Sequence, residues 1–196
     1  MRIIQACIPT TAVGLRDRAV LELPYSTGIR KRELMNLSLG DFRVESREPL
    51  IVNGKGGKDQ VVPVGEWACY FTEAYVKNVR PWQVCSPAEK ALFVQHRNGR
   101  RLSPRAAGDI VDRATAKSGV GRRVSPHLST FRHTMATHML RNQADLRHIQ
   151  AIPGHTSLRS TQVYTRVNIE DLKEVVRRSH PHGRRAGAAY GQSACI

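Results

Sequence analysis

Ser125-Pro-His-Leu-Ser-Thr-Phe-Arg-His-Thr-Met-Ala-Thr-His138 opens the stretch on which the reading of this chain turns, and Gly154-His-Thr-Ser-Leu-Arg-Ser-Thr-Gln-Val-Tyr-Thr-Arg-Val167 closes it. It gathers His127, Arg132, His155 and Tyr164 into one short span. A cation, two imidazoles and a phenol make a kit for phosphoryl transfer through a tyrosine. Arginine forks bind non-bridging phosphate oxygens in pairs and gain strength as charge develops on them. A phenol, with a pKa of about 10, is a poor nucleophile at neutral pH, so a cationic pocket and a nearby imidazole help it ionise.

The rest of the composition fits such chemistry. The 196 residues are enough for one domain with a core of its own. Lys and Arg number 31 against 16 Asp and Glu, a net charge of +15, and the pI is about 10.5. A bias of this size attracts polyanions, nucleic acid first among them. Cys7, Cys69, Cys85 and Cys195 are widely spaced with no C-x-x-C pair, which argues against a zinc knuckle or a disulfide framework and fits a reducing compartment. No apolar run approaches the roughly 20 residues that span a bilayer. His133 and His138 lack an H-E-x-x-H arrangement, so the sequence points to no metal and no cofactor, and both histidines read as mainly structural.

Residues 1–13 read as a leader, and the segment from Gly14 to Ser26 as a helix broken at Thr27-Gly28, with Pro24 spoiling its last turn. A short helix follows over 29–37. Asp41 to Val64 reads as β, with Leu50-Ile51-Val52 and Val61-Val62-Pro63-Val64 flanking Asn53-Gly54-Lys55-Gly56-Gly57-Lys58-Asp59, a hairpin signal. Glu66 to Val79 is an amphipathic helix with Trp67, Tyr70, Phe71, Ala74 and Tyr75 on one face. Ala91–Val94 reads as a short strand. Ser103-Pro104 is an N-cap and N1 pair that starts a helix ending near Ser118. Beyond Thr130 the pattern is helical in pieces, over about 130–142, 145–152, 157–167 and 170–178, and the tail from His180 reads as loose. The fold class is α+β, mainly α-helical, with a small antiparallel hairpin sheet.

Two earlier segments join the opening stretch. Tyr25-Ser26-Thr27-Gly28-Ile29-Arg30-Lys31-Arg32-Glu33-Leu34 sets an arginine just after a glycine break, and Gly54-Lys55-Gly56-Gly57-Lys58 sets lysines at a hairpin tip. Here the chain resembles the tyrosine recombinases, or phage-type integrases, most of all their Xer-like and mobile-element members. Their pattern is T-G-[LI]-R-x-x-E-L, then G-K-G-x-K, then H-x-L-R-H-T-x-A-T-H, then G-H with a tyrosine nine residues on. The resemblance runs from about Gly14 to Pro181.

The resemblance implies a recombinase catalytic domain over 14–182, with a flexible tail over 183–196 and without the N-terminal DNA-clamping domain that family members carry. By its motifs, Arg30 and Arg132 are the two catalytic arginines, Lys55 the general acid with Lys58 competing for that role, and His127 and His155 the site histidines. Tyr164 is the nucleophile and Glu33 the acid that orients Arg30. It implies DNA recombination or integration for a mobile element through a 3′-phosphotyrosine, on double-stranded DNA, in the bacterial cytoplasm at the nucleoid. It further implies a homo- or hetero-multimer in which residues 168–182 pass to a neighbour. Arg122, Arg123, Arg159, Arg166, Arg177 and Arg178 include candidate DNA-backbone contacts.

The chain departs from the pattern at named places. His127 and Arg132 stand five residues apart where the family has three, as if Ser129-Thr130 were inserted. On a continuous helix that spacing turns the two side chains about 140° apart. Either the insertion loops out before the helix, with Thr130 as cap, or the site is damaged. Pro24 and Pro153 replace leucines in helices, each at about 3 kcal/mol or more, and restoring leucine should raise the melting temperature. Gln143 stands where relatives have a helix-ending glycine, so it would carry the strain of a left-handed backbone. These departures keep open a second reading, a catalytically impaired DNA-binding remnant. A type IB topoisomerase-like enzyme, with the same chemistry but other motifs, is a third.

Overall fold

The structure is a computed structural model that describes residues 2–42, 50–53, 59–120, 126–145, 148–149 and 169–184. Lys55, Lys58, Pro153, His155 and Tyr164 lie outside the described residues, as do Arg122, Arg123, Arg159 and Arg166.

Helix α2 (Ala12–Thr27) is the centre of the molecule. The Thr11 hydroxyl accepts the Gly14 N–H at 3.0 Å and starts it. From Arg16 to Thr27 every residue is buried, so its charged side chains need partners inside the protein. Arg16 pairs with Asp17 at 2.6 Å, Arg113 reaches Asp17 at 3.0 Å, and Arg18 pairs with Glu22 at 2.9 Å. Arg18 also donates to the Ile4 carbonyl at 2.8 Å and lies over the Phe71 ring. Pro24 does not end this helix. The helix runs on to Thr27 and closes with the Gly28 N–H on the Pro24 carbonyl at 3.0 Å, Gly28 taking φ +65°. Proline withholds one donor, from the Val20 carbonyl, and in a last turn buried on all sides that loss does not outweigh the packing around it.

Around α2 lie α1 (Arg2–Gln5), α3 (Lys31–Asn36), α4 (Glu66–Asn78), α6 (Pro104–Lys117) and α7 (Leu128–Arg141), with α5 (Arg80–Gln83) following α4. The chief contacts of α2 are with α4 and α7. The segment read as a leader holds α1, which packs on α6 and α2 through the buried Ile4. Strands β1 (Leu50–Asn53) and β2 (Asp59–Val62) form the antiparallel hairpin, in register Leu50 to Val62. Asp41 begins no strand. Its carboxylate accepts the Ser38 N–H at 2.8 Å and caps a 3₁₀ turn, Leu39–Asp41. Residues 91–94 make single bridges, Ser38 to Ala91 and Val94 to Arg101, instead of a strand. Ser103 caps α6 by accepting the Ala106 N–H at 3.1 Å.

Helix α8 (Ile169–Ser179) lays Leu172 and Val176 into the core against α7, and the Asn142 amide donates to the Ser179 carbonyl at 2.7 Å. The chain beyond α8 is not loose as far as Arg184. His180 and His182 are 4% and 7% exposed, and the Gly183 carbonyl accepts the Glu66 N–H. Hydrogen-bonding partners on α2 hold the two imidazoles there. Gln143 takes φ +61°, the left-handed conformation that the missing glycine implies. No described helix is long and apolar enough to cross a membrane.

Candidate active site

Arg30 is the N-cap of α3, immediately beyond the Gly28 turn. Glu33, one turn on, holds it twice. The Arg30 N–H donates to Oε2 at 2.7 Å, and Nη1 donates to Oε1 at 2.9 Å. The carboxylate caps the helix and aims the guanidinium with the same two oxygens. The Arg30 side chain remains 45% exposed against 11% for Glu33, so most of its donors are open to a ligand. The pairing of Arg30 with Glu33 read from the sequence is therefore a geometric fact.

Arg132 comes to the same place from α7. It is half-buried, and burial is the first cause that lowers its pKa from the ordinary arginine value. The positive charge of Arg30 is the second, and the Glu33 carboxylate opposes both. Two guanidinium groups within electrostatic range of one carboxylate leave a local surplus of positive charge. That arrangement suits an anion with several oxygens, such as a phosphodiester.

His127 is placed differently. It is the exposed N-cap of α7, and the helix starts at Leu128. Ser129 and Thr130 do not loop out ahead of the helix; they lie in its first turn, and the Thr130 hydroxyl accepts the His127 N–H at 3.0 Å. The cause is apolar. Leu128 and Phe131, three apart, are both buried, and the helix must begin early enough to seat them on one face. His127 itself has an extended backbone at the N-cap, and Arg132 follows in the second turn of α7, within electrostatic range of Arg30 and Glu33. Arg177 and Arg178 are exposed on α8, where Arg177 is engaged by Glu174 at 2.6 and 2.7 Å. His133 is exposed on α7.

One cluster escaped the reading of the sequence. The Tyr25 hydroxyl meets His138 Nδ1 at 2.8 Å, His180 Nε2 meets the Tyr25 carbonyl at 3.0 Å, and His182 Nδ1 meets Glu22 Oε2 at 2.6 Å. The His182 N–H donates to His180 Nδ1 at 3.0 Å. That last bond leaves His180 Nδ1 an acceptor, so Nε2 carries the proton that reaches Tyr25. Burial pushes the Tyr25 hydroxyl well above its ordinary value, with Glu22 adding to the effect, and lowers His180 to about 3. Burial also lowers His138. Tyr25 lies five residues before Arg30 and His138 six after Arg132, so this part-buried contact ties α2, which leads into Arg30, to α7, which carries Arg132. The only signal in the sequence was polar residues at positions facing the core, without their partners.

The profile of the phage integrase family matches residues 1–171. The chain belongs to the phage integrase family. It is 43% identical over 176 residues to tyrosine recombinase XerC of Pelotomaculum thermopropionicum, covering 88% of this chain and 56% of that protein. It is 39% identical over 175 residues to tyrosine recombinase XerD of Chlorobaculum tepidum, covering 89% and 56%. Among solved structures, XerA recombinase aligns with a TM-score of 0.63 at 32% identity, over 88% of this chain and 60% of that one. XerH recombinase bound to its difH substrate aligns with a TM-score of 0.66 over 90% and 51%, and at 22% identity that likeness speaks for the fold alone. This phage integrase family member thus spans little more than half the length of these relatives, and its mainly helical fold matches that of the solved structures.

Proposed function

We propose that this chain cleaves and rejoins DNA strands by site-specific recombination, with Tyr164 as nucleophile. The observation that carries the reading is the pairing of Arg30 with Glu33 and the presence of Arg132 within electrostatic range of both. Membership of the phage integrase family and likeness to tyrosine recombinases support it. The guanidinium pair grips the non-bridging oxygens of the scissile phosphate and stabilises the charge that builds there. The Tyr164 oxygen attacks phosphorus, giving up its proton to a site histidine, His127 or His155. The bond from phosphorus to the 5′ oxygen breaks, and Lys55 protonates that oxygen as it leaves. The product is a 3′-phosphotyrosine and a free 5′ hydroxyl. Attack by a second 5′ hydroxyl reverses the step, which conserves the bond energy.

The partner is double-stranded DNA, and the net charge of +15 supplies the attraction. The setting is recombination or integration of a mobile element in the bacterial cytoplasm, by a multimer whose copies exchange part of residues 168–182. In the single chain α8 packs on its own α7, and His180 and His182 dock on α2. Exchange of this segment has to break those buried bonds and the Asn142–Ser179 bond as well.

The second reading is a DNA-binding remnant without cleavage. The position of His127, exposed at the N-cap of α7 and five residues before Arg132 instead of three, favours it. One experiment separates the two. Nicked suicide duplexes of random sequence are incubated with the protein, and those trapped covalently are recovered. A selected duplex should give an adduct in wild type and none in Tyr164→Phe. Salt-sensitive binding with no adduct from any duplex would leave only the remnant.

A further inference from the structure

Helix α3 carries Arg30 and Glu33 but has only six residues, about 9 Å of helix. A helix so short does not hold itself in place. Its N-terminal end is fixed by Glu33. Its C-terminal end exposes carbonyls that need donors from elsewhere. Those donors come from Arg101, a half-buried residue some 65 positions later in the chain.

Arg101 Nη1 donates to the Met35 carbonyl at 2.8 Å and to the Leu37 carbonyl at 3.0 Å, and Nη2 donates to the Ser38 hydroxyl at 3.3 Å. A cation here also opposes the negative end of the helix dipole. Arg101 is itself well held. Its N–H donates to Glu89 Oε2 at 3.2 Å, and its carbonyl accepts from the Gln95 amide at 3.1 Å. The same strip of chain is laced to the end of α3 by the Leu92 N–H on the Leu37 carbonyl and the Leu39 N–H on the Lys90 carbonyl, each at 2.9 Å.

We propose that Arg101 is a positioning residue that fixes the site of Arg30 by clamping the far end of α3. Arg101 acts through three protein oxygens and needs no contact with substrate. Its fork reaches two carbonyls and a hydroxyl from one planar group. A lysine offers a single point of charge and cannot span them. When the clamp is lost, the far end of α3 keeps only the two backbone bonds to residues 90 and 92, and the Arg30 guanidinium loses its fixed relation to Arg132. A displacement of about 1 Å at such a group is enough to cost about a hundredfold in rate.

The proposal rests on the catalytic reading of Arg30 for its effect on rate, but not for the clamp itself, and the test keeps the two apart. Amide hydrogen exchange is measured by NMR on the wild type and on Arg101→Lys and Arg101→Ala. In wild type the Arg30 N–H is bonded to Glu33 and the Leu34 N–H to the Arg30 carbonyl. In both variants these two amides should exchange at least tenfold faster, while the Met135 amide in α7 changes less than twofold. Equal acceleration at all three, or a variant that no longer folds, would make Arg101 a global stabiliser and overturn the proposal. So would unchanged exchange at Arg30 and Leu34. On the selected duplex, Arg101→Ala should form the Tyr164 adduct 10- to 100-fold more slowly, with half-saturation within threefold of wild type. An unchanged rate together with faster local exchange would separate the clamp from positioning and overturn the proposal. Absence of an adduct in wild type would instead defeat the recombinase reading, and the assigned role in catalysis with it, leaving the exchange result to speak for the clamp alone.

Discussion

Two polar clusters join the α2–α3 side of the molecule to α7, and they are built in opposite ways. Around Glu22, Tyr25, His138, His180 and His182, donors meet acceptors inside the protein, and Glu22 is completely buried between Arg18 and His182. Around Arg30 and Arg132, two guanidinium groups lie within electrostatic range of one carboxylate, which binds Arg30, and nearly half of the Arg30 side chain is open to solvent. The first cluster pairs its polar groups with one another. The second keeps unused donors and positive charge in one place. Buried polar networks hold a fold together when fully satisfied, whereas a surplus of donors at the surface marks a place where something binds.

The contrast can be broken by mutation. The largest effect belongs to the open cluster. Arg30→Ala and Arg132→Ala should each lower the rate of covalent adduct formation by about 10²–10³, the usual loss when one preorganised donor to a developing anion is removed. Their melting temperatures should remain near that of wild type; a collapse of stability equal to that in the closed cluster would erase the distinction.

The closed cluster should respond in stability. His182→Ala leaves the buried Glu22 carboxylate with Arg18 alone, at a cost of about 3 kcal/mol. In a chain of this length that is a fall of about 6–12 °C in melting temperature, and a change under 2 °C by calorimetry would contradict it.

Protonation probes the same region. The folded pKa of His180 is depressed, to about 3, by burial first. The unfolded chain takes up the proton near the ordinary value of 6.5, and the folded one does not. Stability is therefore full above about pH 6.5 and falls as pH drops toward 3, at up to about 1.4 kcal/mol per pH unit from this one group. His138, His182, Glu22 and Tyr25 face the same space, so the slope in denaturant titrations should flatten, not vanish, in His180→Gln. A profile identical to wild type would remove His180 as the source.

The smallest effect lies outside both clusters. Gln143 holds a left-handed backbone at φ +61°, a conformation glycine takes without strain. Gln143→Gly should gain about 1 kcal/mol, read as a rise of about 2–4 °C. A loss instead would show that this backbone carries no strain.

The parts legible in the sequence were those settled by neighbours along the chain. Gly28 ends α2, Ser103 and Pro104 start α6, and two β-rich runs flanking a glycine-rich segment pair as strands. Glu33 sits three residues from Arg30, so their pairing was readable too. The parts that were not legible depend on distant partners. His182 reads as tail until it meets Glu22, 160 positions earlier, and Arg101 reads as one arginine among many until it meets Met35 and Leu37. The start of α7 was misplaced for another reason. Thr130 has the chemistry of a cap, but Leu128 and Phe131 both require the core, and burial set the boundary. The same competition explains how α2 carries Pro24 through its last turn.

The chemical identity of the DNA-linked residue tests the recombinase assignment most directly. The trapped complex is digested with protease and nuclease, and the peptide that retains a nucleotide is sequenced by mass spectrometry. The account predicts a single 3′-phosphate linkage, carried by Tyr164. A linkage at any other residue, or strand cleavage that leaves no nucleotide on the protein, would contradict it.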